Sequence, residues 1–283
     1  MVPWLKYLIY FLEISAIAYI LAAFGLFIAQ RRIIFVPCQP IVATPTDYGL
    51  PYESVTIPIN SEEQIHGWWV PSPSTDAPVL LYFHGNGGNI SANLPRVQRY
   101  RAVGFSVFLI DYRGYGLSEG RFPSEKRVYE DAEAAWRYLV DERGIDPQQL
   151  YVFGHSLGGA IALELATRQP QIPGLVIEGA FTSMRDMAVE EKGYGWLPVH
   201  WLLTQRFNSL QKVSSLATPI FLIHGTEDQV VPADMSERLY QAAASTRKEL
   251  WLVETAGHND VATVTGTSYE KRIWQFLIEE NPR

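Results

Sequence analysis

Cysteine is nearly absent from the sequence: Cys38 is the single one among 283 residues. One thiol cannot form a disulfide within the chain, and it cannot supply the several thiolates of a zinc cluster. The sequence therefore excludes stabilisation by an intrachain disulfide or by a zinc cluster of several thiolates, and we expect no metal site built from cysteine.

Charged residues are also scarce, at 19% of the chain, and 23 Lys and Arg against 30 Asp and Glu give a net charge of -7. A nucleic-acid-binding surface needs clustered Lys and Arg to neutralise phosphates, so we expect no nucleic-acid partner. Hydrophobic residues, by contrast, make up 47% of the sequence and aromatic residues 13%. This composition predicts a folded protein with a sizeable core and excludes a disordered chain.

The longest apolar run lies near the N-terminus, where residues 8–28 read LIYFLEISAIAYILAAFGLFI with Glu13 as the one charged residue. A run of roughly 20 apolar residues is the length that crosses a bilayer core as a helix. Amphipathic rings and cations favour the headgroup region, and such residues flank the run on both sides: Trp4, Lys6, Tyr7, Arg31 and Arg32. We therefore predict that residues 1–32 are a single-pass transmembrane anchor.

Two other roles are open to this segment: a cleaved signal peptide, with a small-x-small site at residues 16–18, or an amphipathic helix that caps the globular domain. Both fit less well, because the run continues for about ten residues past Ala18 and is apolar all around the helix. One Lys precedes the run and two Arg follow it. The preference for positive charge on the inside therefore gives only a slight lean towards a cytoplasmic domain.

After the anchor, residues 33–52 contain several prolines and predict an extended linker, because proline removes a backbone donor and blocks a helix. Residues 53–283 then alternate between β-rich and helical segments. The β-rich segments, several of them continuously apolar, are 54–59, 64–70, 79–84, 105–111, 150–154, 175–178, 219–224 and 249–253, and the helical ones are 124–143, 157–168, 233–244 and 267–279. This pattern predicts one α/β domain whose mostly parallel sheet is covered by helices on both faces.

One predicted junction between a strand and a helix carries a candidate nucleophile. Residues 150–160, LYVFGHSLGGA, read as a strand, then the motif G-x-S-x-G around Ser156, then the start of a helix, which is the context that this motif requires. Glycines two positions before and after the serine allow a sharp turn that exposes its hydroxyl at the helix N-terminus, where free amides favour developing negative charge. The alternative interpretation is a tight structural turn.

A serine hydroxyl attacks only when a base removes its proton, so this interpretation requires a histidine and an orienting carboxylate further along the chain. Asp228 and His258 each follow a predicted strand, and loops that follow parallel strands meet at one edge of the sheet. We therefore predict that Ser156, Asp228 and His258 form a catalytic triad.

The identity of the acid leaves alternatives open. Glu227 is adjacent to Asp228, and Glu178 ends the preceding strand, from which a carboxylate could also reach the imidazole. Asp228 could instead simply cap its turn. Asp228 is the preferred acid because of its place in the order serine, acid, histidine.

A glycine-rich turn, HGNGGN at residues 84–89, follows another predicted strand. Such a turn supplies a backbone amide that stabilises the oxyanion formed during acyl transfer, and the second amide comes from the residue after the nucleophile. The candidates are the amides of Asn86 and Leu157. A phosphate-binding loop is the rival interpretation, but the chain has no G-x-x-x-x-G-K-[ST] sequence.

Five motifs taken together, HGNGGN, DYRGYGLSEG, GHSLGG, GTEDQVVP and AGHND, resemble the α/β-hydrolase superfamily across nearly all of residues 50–283. Within it the chain is similar to membrane-anchored, small-lid serine hydrolases with serine aminopeptidase-like or monoacylglycerol lipase-like domains. The resemblance implies an eight-stranded sheet, an acyl-enzyme mechanism without a cofactor or metal, and a structural role for DYRGYG beside the oxyanion turn. It also implies a lid at about residues 181–218 over the active site.

The predicted lid mixes charged residues with apolar ones that could line an acyl-binding pocket or simply pack on the core: Met184, Met187, Trp196, Pro198, Trp201, Leu202 and Leu203. We expect hydrolysis of an ester or thioester of a lipid-like or acylated substrate at a membrane. An aminopeptidase is one alternative, with Glu190 or Glu191 holding the amine of a substrate. A non-catalytic binding protein with a hydrolase fold is the other.

Overall fold

The computed structural model of the chain describes residues 3–279. One sheet has the strand order β8-β7-β6-β5-β3-β4-β2-β1, and its strands are β1 Glu53–Pro58, β2 Gln64–Val70, β3 Val79–Phe83, β4 Ser106–Asp111, β5 Leu150–His155, β6 Leu175–Glu178, β7 Ile220–Gly225 and β8 Lys248–Val253. β2 runs antiparallel to β1 and β4, and the other neighbours are parallel. The predicted mostly parallel, eight-stranded sheet is confirmed.

Helices fill most of the connections between strands. In the described residues they are α1 Pro3–Ile34, α2 Leu94–Ala102, α3 Glu125–Arg137, α4 Leu157–Arg168, α5 Met184–Asp186, α6 Val199–Leu202, α7 Ser209–Val213, α8 Ala233–Ala242, α9 Val261–Thr265 and α10 Ser268–Trp274. The helices α3 and α10 continue as the π-helical turns Tyr138–Glu142 and Gln275–Glu279. The four helices predicted within the domain correspond to α3, α4, α8 and α10, whereas α2 was not predicted.

The core lies on both faces of the sheet, which is why the central strands are apolar without alternation. Every residue of β3 is buried, and its successive side chains point to opposite faces. Leu81 and Phe83 join a hydrophobic cluster with α3, α4 and α8. Leu80 and Tyr82 join a second cluster with α2 and α10. The sheet therefore holds the residues that follow its strands at one rigid edge.

The N-terminal helix α1 is long and apolar enough to cross a membrane over Trp4–Ile34. It ends two residues beyond the predicted anchor, and the segment that follows is largely without regular structure but packs against the domain. Phe35 and Leu50 are buried, and residues Val36–Pro37 pair in parallel with Gly87–Gly88 of the glycine-rich turn. These contacts attach the end of the helix directly to the sheet edge.

The predicted lid occupies the connection between β6 and β7. It consists of the short helices α5 to α7, the π-helical turn Met187–Glu191 and the 3-10 turn Tyr194–Trp196. A small apolar cluster joins this lid to the N-terminal helix, with Ala23, Leu197 and Val199 at its centre. The lid thus lies between the sheet edge and α1.

Candidate active site

Ser156 occupies the sharp turn between β5 and α4. Its backbone has φ 53 and ψ -117, a region that side-chain-bearing residues adopt only where the surroundings enforce it. The flanking glycines explain how the turn is packed: a Cβ on Gly158 would lie 2.1 Å from the carbonyl oxygen of Phe83, and one on Gly154 would lie 2.3 Å from that of Gly158. Only glycine lets strand and helix approach this closely. The turn places the serine beyond the carboxyl end of β5.

Asp228 and His258 meet at the same edge, in the loops that follow β7 and β8. The Nδ1 atom of His258 lies 2.6 Å from Oδ2 of Asp228. The other carboxylate oxygen of Asp228 accepts hydrogen bonds from the amides of Val230 at 2.8 Å and Val231 at 2.9 Å. Because its turn holds the carboxylate in place, Asp228 fixes the orientation of the imidazole and leaves Nε2 of His258 as the free ring nitrogen.

A second histidine, His224, also contacts the aspartate. Its Nε2 lies 3.1 Å from Asp228 Oδ2 and 2.9 Å from the carbonyl oxygen of Val231, and its Nδ1 lies 2.6 Å from Ser236 Oγ. Burial alone would raise the pKa of Asp228, but the hydrogen bonds from His224, His258 and the Val231 amide hold that pKa below its ordinary value. Asp228 is therefore ionised across the neutral range. His224 lies buried within β7 and was not among the predicted site residues.

Residues next to Ser156, and the strand end that its amide contacts, lie against His258. The ring of His155 lies 5.0 Å from the ring of His258, and the Ser156 amide donates to the carbonyl of Glu178 at 2.8 Å. The next residue, Gly179, lies against the imidazole, since a Cβ there would be 3.2 Å from His258 Cε1. Within the described residues the Ser156 hydroxyl makes no hydrogen bond to His258; such bonds are often long before substrate binds.

Glu178, the alternative acid, has other partners. Its Oε1 lies 2.6 Å from Nη1 of Arg96, and its Oε2 accepts a hydrogen bond from the hydroxyl of Tyr269. Burial raises the pKa of Glu178, but Arg96, His155 and the Tyr269 hydroxyl together keep that pKa below its ordinary value. Its neighbour His155 is neutral, because burial and the nearby Arg96 charge lower its pKa to about 3. Glu227 is exposed. Asp228 is thus the carboxylate that the structure brings to His258.

The glycine-rich turn lies directly over the serine. A Cβ on Gly85 would lie 3.5 Å from Ser156 Cβ. The amide of Asn86 makes no hydrogen bond within the described part of the chain, and the amide of Leu157 is the first of α4 and has no partner inside the helix. Two backbone amides in the segments that meet at Ser156 are therefore without an acceptor within the described residues, and an oxyanion site requires donors of this kind.

Two tyrosines of the DYRGYG motif donate hydrogen bonds to backbone carbonyls of this turn. The hydroxyl of Tyr112 donates to the carbonyl of His84 at 2.8 Å, and that of Tyr115 donates to the carbonyl of Asn86 at 2.9 Å. By binding these carbonyl oxygens, they fix the peptide planes on either side of the one that carries the Asn86 amide. The carbonyl of that middle plane belongs to Gly85, and its oxygen lies 2.7 Å from Nδ1 of His84. The structural role expected of this motif thus has a geometric basis.

The match to known proteins follows this architecture. A model of the family described as "Serine aminopeptidase, S33" matches residues 74–212 and 199–261. The chain belongs to this family of α/β-hydrolases. An uncharacterized protein of Mycobacterium tuberculosis is 34% identical over 251 residues, which cover 88% of both chains. An uncharacterized membrane protein of Saccharomyces cerevisiae is 31% identical and covers 84% of both.

A solved structure shows the same fold. An esterase of Pyrococcus furiosus superposes on the chain with a TM-score of 0.73 and 21% sequence identity, covering 88% of this chain and 99% of the esterase. At this level of identity the likeness concerns the fold alone. It agrees with the α/β-hydrolase architecture derived from the strand order.

An apolar cavity of about 260 Å³ lies at the same edge of the sheet in this α/β-hydrolase. Its lining includes Asn86 of the glycine-rich turn and Val230, two residues beyond Asp228. Four of the predicted lid residues line it, Met184, Met187, Leu202 and Leu203, whereas Trp196 and Trp201 are exposed and do not. The lid prediction therefore identified one wall of the cavity.

The acids considered for an aminopeptidase lie elsewhere. Glu190 forms an ion pair with Arg238 at 2.8 Å, and Glu191 is exposed. Among the described residues that line the cavity, Lys192 is the single charged one. An ammonium group bound there would meet a like charge and no carboxylate. Within residues 3–279 no cluster of His, Cys, Asp or Glu is arranged to hold a metal ion.

Proposed function

We propose that this α/β-hydrolase is a serine hydrolase that cleaves esters or thioesters through an acyl-enzyme, with Ser156 as nucleophile, His258 as base and Asp228 as the orienting acid. The observation that carries the proposal is the 2.6 Å contact between His258 Nδ1 and Asp228 Oδ2 at the edge where Ser156 occupies its strained turn. Together they supply the nucleophile, base and orienting group that acyl transfer needs.

In the first half-reaction, Ser156 Oγ forms a bond to the substrate carbonyl carbon while its proton passes to Nε2 of His258. Nε2 is the base because Nδ1 is hydrogen-bonded to Asp228. The carbonyl oxygen becomes an oxyanion that accepts hydrogen bonds from the amides of Asn86 and Leu157. The ionised Asp228 stabilises the imidazolium that forms.

The first half-reaction ends when the tetrahedral intermediate collapses and the bond to the leaving alcohol or thiol breaks. The leaving group takes the proton from His258 Nε2, and the acyl group stays on Ser156. In the second half, a water molecule attacks the acyl carbon and gives its proton to the same nitrogen. The bond from the acyl carbon to Ser156 Oγ then breaks, Oγ takes the proton back from His258, and the acid is released. Each proton that His258 accepts is returned within the cycle.

The substrate class is inferred from the apolar cavity and the N-terminal helix. An apolar wall beside Asn86 and Val230 suits the acyl side of the scissile bond. A helix of this length and composition supports a single-pass membrane anchor, which would present the site to lipid-like or acylated substrates. The membrane protein of Saccharomyces cerevisiae that resembles the chain supports the same localisation.

The alternatives have less support. An aminopeptidase requires a carboxylate for the substrate amine, and Glu190 is paired with Arg238 instead. A binding protein that had lost catalysis would lack a triad residue or a donor for the oxyanion, and neither group is missing from the described site.

A chain-length series of esters and thioesters tests the proposal. We expect the membrane-inserted protein to hydrolyse p-nitrophenyl esters and acyl thioesters with kcat/KM rising with acyl length, and Ser156→Ala to reduce turnover by at least about 10³-fold. Aminoacyl amides serve as the comparison set. Turnover of amides alone, or turnover that persists in Ser156→Ala, would overturn the proposal.

A further inference from the structure

The wall of the apolar cavity opposite the lid is made by the N-terminal helix. Its side chains Leu26, Phe27, Ile33 and Ile34 line the cavity together with lid residues such as Leu202. Gln30 lines the cavity as well. The five positions 26, 27, 30, 33 and 34 follow the helical repeat of three to four residues, so they share one face of α1 over its last turns. A helix that served only to anchor the protein would have no reason to line a cavity beside the active site.

The helix is fixed to the lid by a buried glutamine. Gln30 donates from Nε2 to the carbonyl of Leu202 at 3.2 Å, and its Oε1 accepts from the amide and the hydroxyl of Thr204 at 2.8 and 3.0 Å. The following residue, Arg31, donates from Nε to the carbonyl of Pro123 at 2.8 Å. These bonds hold the wall at a defined distance from the lid.

The same helix end is joined to the oxyanion turn. The side-chain amide of Asn86 donates to the carbonyl of Ile34 at 3.0 Å, and the amide of Val36 donates to the carbonyl of Asn86 at 3.2 Å. The residue whose backbone amide is proposed to bind the oxyanion is thus held by the last residue of α1 and by Val36, two residues further on. An acyl group whose carbonyl binds there would extend its alkyl chain directly into the cavity.

The lid makes a further contact with the helix at Tyr19. The ring of Tyr19 lies 5.8 Å from that of Trp196, and its hydroxyl donates to the Trp196 carbonyl at 3.3 Å. Because Tyr19 lies within the apolar run of residues 8–28, this contact brings the lid to the membrane. Trp196 and Trp201 are 58% and 81% exposed, and tryptophan is a residue that the membrane interface favours.

From these contacts we propose that the last turns of α1 are a substrate-binding element, which with the lid encloses a pocket for one acyl chain entering from the bilayer. The inference rests on the proposed acyl hydrolase function and adds the part of the chain that selects the acyl group. One chain is specified because about 260 Å³ lies below the range of roughly 300 to 1,000 Å³ typical of pockets for drug-sized ligands.

Photocrosslinking tests the pocket without requiring turnover. Full-length Ser156→Ala protein in phosphatidylcholine vesicles is irradiated with a single-chain fatty acyl ester that carries a diazirine along the chain, and the adducts are mapped by mass spectrometry. We expect adducts both in residues 26–34 and in the lid, and competition by an unlabelled ester of the same length. Adducts confined to the lid or to the outer face of α1 would overturn the proposal.

A pair of tryptophan variants tests selection of the acyl group. Leu26→Trp adds bulk inside the pocket, whereas Ile28→Trp adds the same bulk at a position that is 62% exposed and absent from the lining. We expect Leu26→Trp to reduce kcat/KM for a long-chain ester at least about tenfold more than for an acetate ester, and Ile28→Trp to show no such difference.

Equal losses on both esters in Leu26→Trp, or a difference of the same size in Ile28→Trp, would contradict the role of the helix. If the wild type hydrolyses no ester, the proposed function fails, and the crosslinks still decide whether the helix binds an acyl chain. If Leu26→Trp does not fold, the crosslinks on Ser156→Ala likewise decide.

Discussion

At the scale of single residues, the buried carboxylates of Asp228 and Glu178 were both candidates for the acid, and their hydrogen-bond partners distinguish them. Asp228 receives hydrogen bonds from His258, His224 and two backbone amides. Glu178 instead forms an ion pair with Arg96 at 2.6 Å. The first arrangement orients a base, whereas the second neutralises a charge in the core.

Substitution of each carboxylate by its amide separates these roles. Asp228→Asn keeps an oxygen that can accept from the Val230 and Val231 amides. Its NH₂ group would donate to His258 Nδ1 in place of the carboxylate that accepts from it, and this favours the ring tautomer that carries its proton on Nε2. Because Nε2 then cannot act as the base, kcat should fall by about 10³ to 10⁴-fold. Glu178→Gln should lower the melting temperature, because Arg96 loses its partner, and retain most of its turnover. Ester hydrolysis and thermal unfolding measured on both variants provide the comparison; equal kcat values would contradict the assignment of the acid.

Residues of the candidate site differ in how far the sequence predicts them. Ser156, Asp228 and His258 were predicted because the turn around the serine demands glycine and the other two follow strands of a parallel sheet. His224 was not, although its spacing of four residues from Asp228 was a usable signal. Tyr115 and Arg96 could not have been assigned, since their partners Asn86 and Glu178 are distant in sequence and the contacts depend on tertiary packing.

At the scale of elements, helix α2 is tied to the end of β6 by the buried Arg96–Glu178 pair. The arginine side chain is 12% exposed and the glutamate is fully buried. Removal of one partner from a buried pair leaves the other charge uncompensated in the core, and this costs far more than the loss of a surface pair. The strand end that leads into Gly179, against His258, therefore depends on α2.

An Arg96→Met variant measures this connection. We expect it to lower the free energy of unfolding at pH 7 by about 3 to 5 kcal/mol. The control is Lys126→Met, which removes an exposed lysine that pairs with Glu130 at 3.7 Å on the surface of α3 and should cost below about 1 kcal/mol. Chemical denaturation of both variants gives the two values.

The pH dependence of the same measurement has a defined sign. The pKa of Glu178 is lower in the folded protein than its ordinary value, which is about 4.3. The stability that the pair contributes is therefore fully present above the unfolded pKa and is lost as the pH falls through the folded pKa. The difference between wild type and Arg96→Met should shrink below about pH 4; a difference that stays constant down to pH 2 would contradict the role of this carboxylate.

The secondary structure elements also show where sequence patterns fail. The predicted strands match the eight observed ones to within a residue or two, because continuous apolar segments between helices leave few alternatives. Helix α2, LPRVQRYRA, was missed because its three buried residues are separated by arginines, one of which is buried through Glu178. The pairing of Val36–Pro37 with Gly87–Gly88 was not predicted either, because it joins segments that are distant in sequence.

At the scale of the whole molecule, the N-terminal helix and the α/β-hydrolase domain form one unit. The helix contributes to the lid cluster through Ala23, to the cavity through its last turns, and to the oxyanion turn through Ile34. The composition of residues 8–28 favoured a segment that crosses a membrane over a helix that caps the globular domain. The link to the active site could not be predicted, because apolar residues that face lipid and those that line a pocket look alike in sequence.

The central claim is that Ser156 is an activated nucleophile, and covalent labelling of the full-length, membrane-inserted protein tests it most directly. An alkyl fluorophosphonate followed by peptide mapping should give one adduct, on Ser156, that is absent from Ser156→Ala and forms far more slowly in Asp228→Asn. Absence of an adduct on Ser156 in folded protein, or a labelling rate unchanged by Asp228→Asn, would contradict the account.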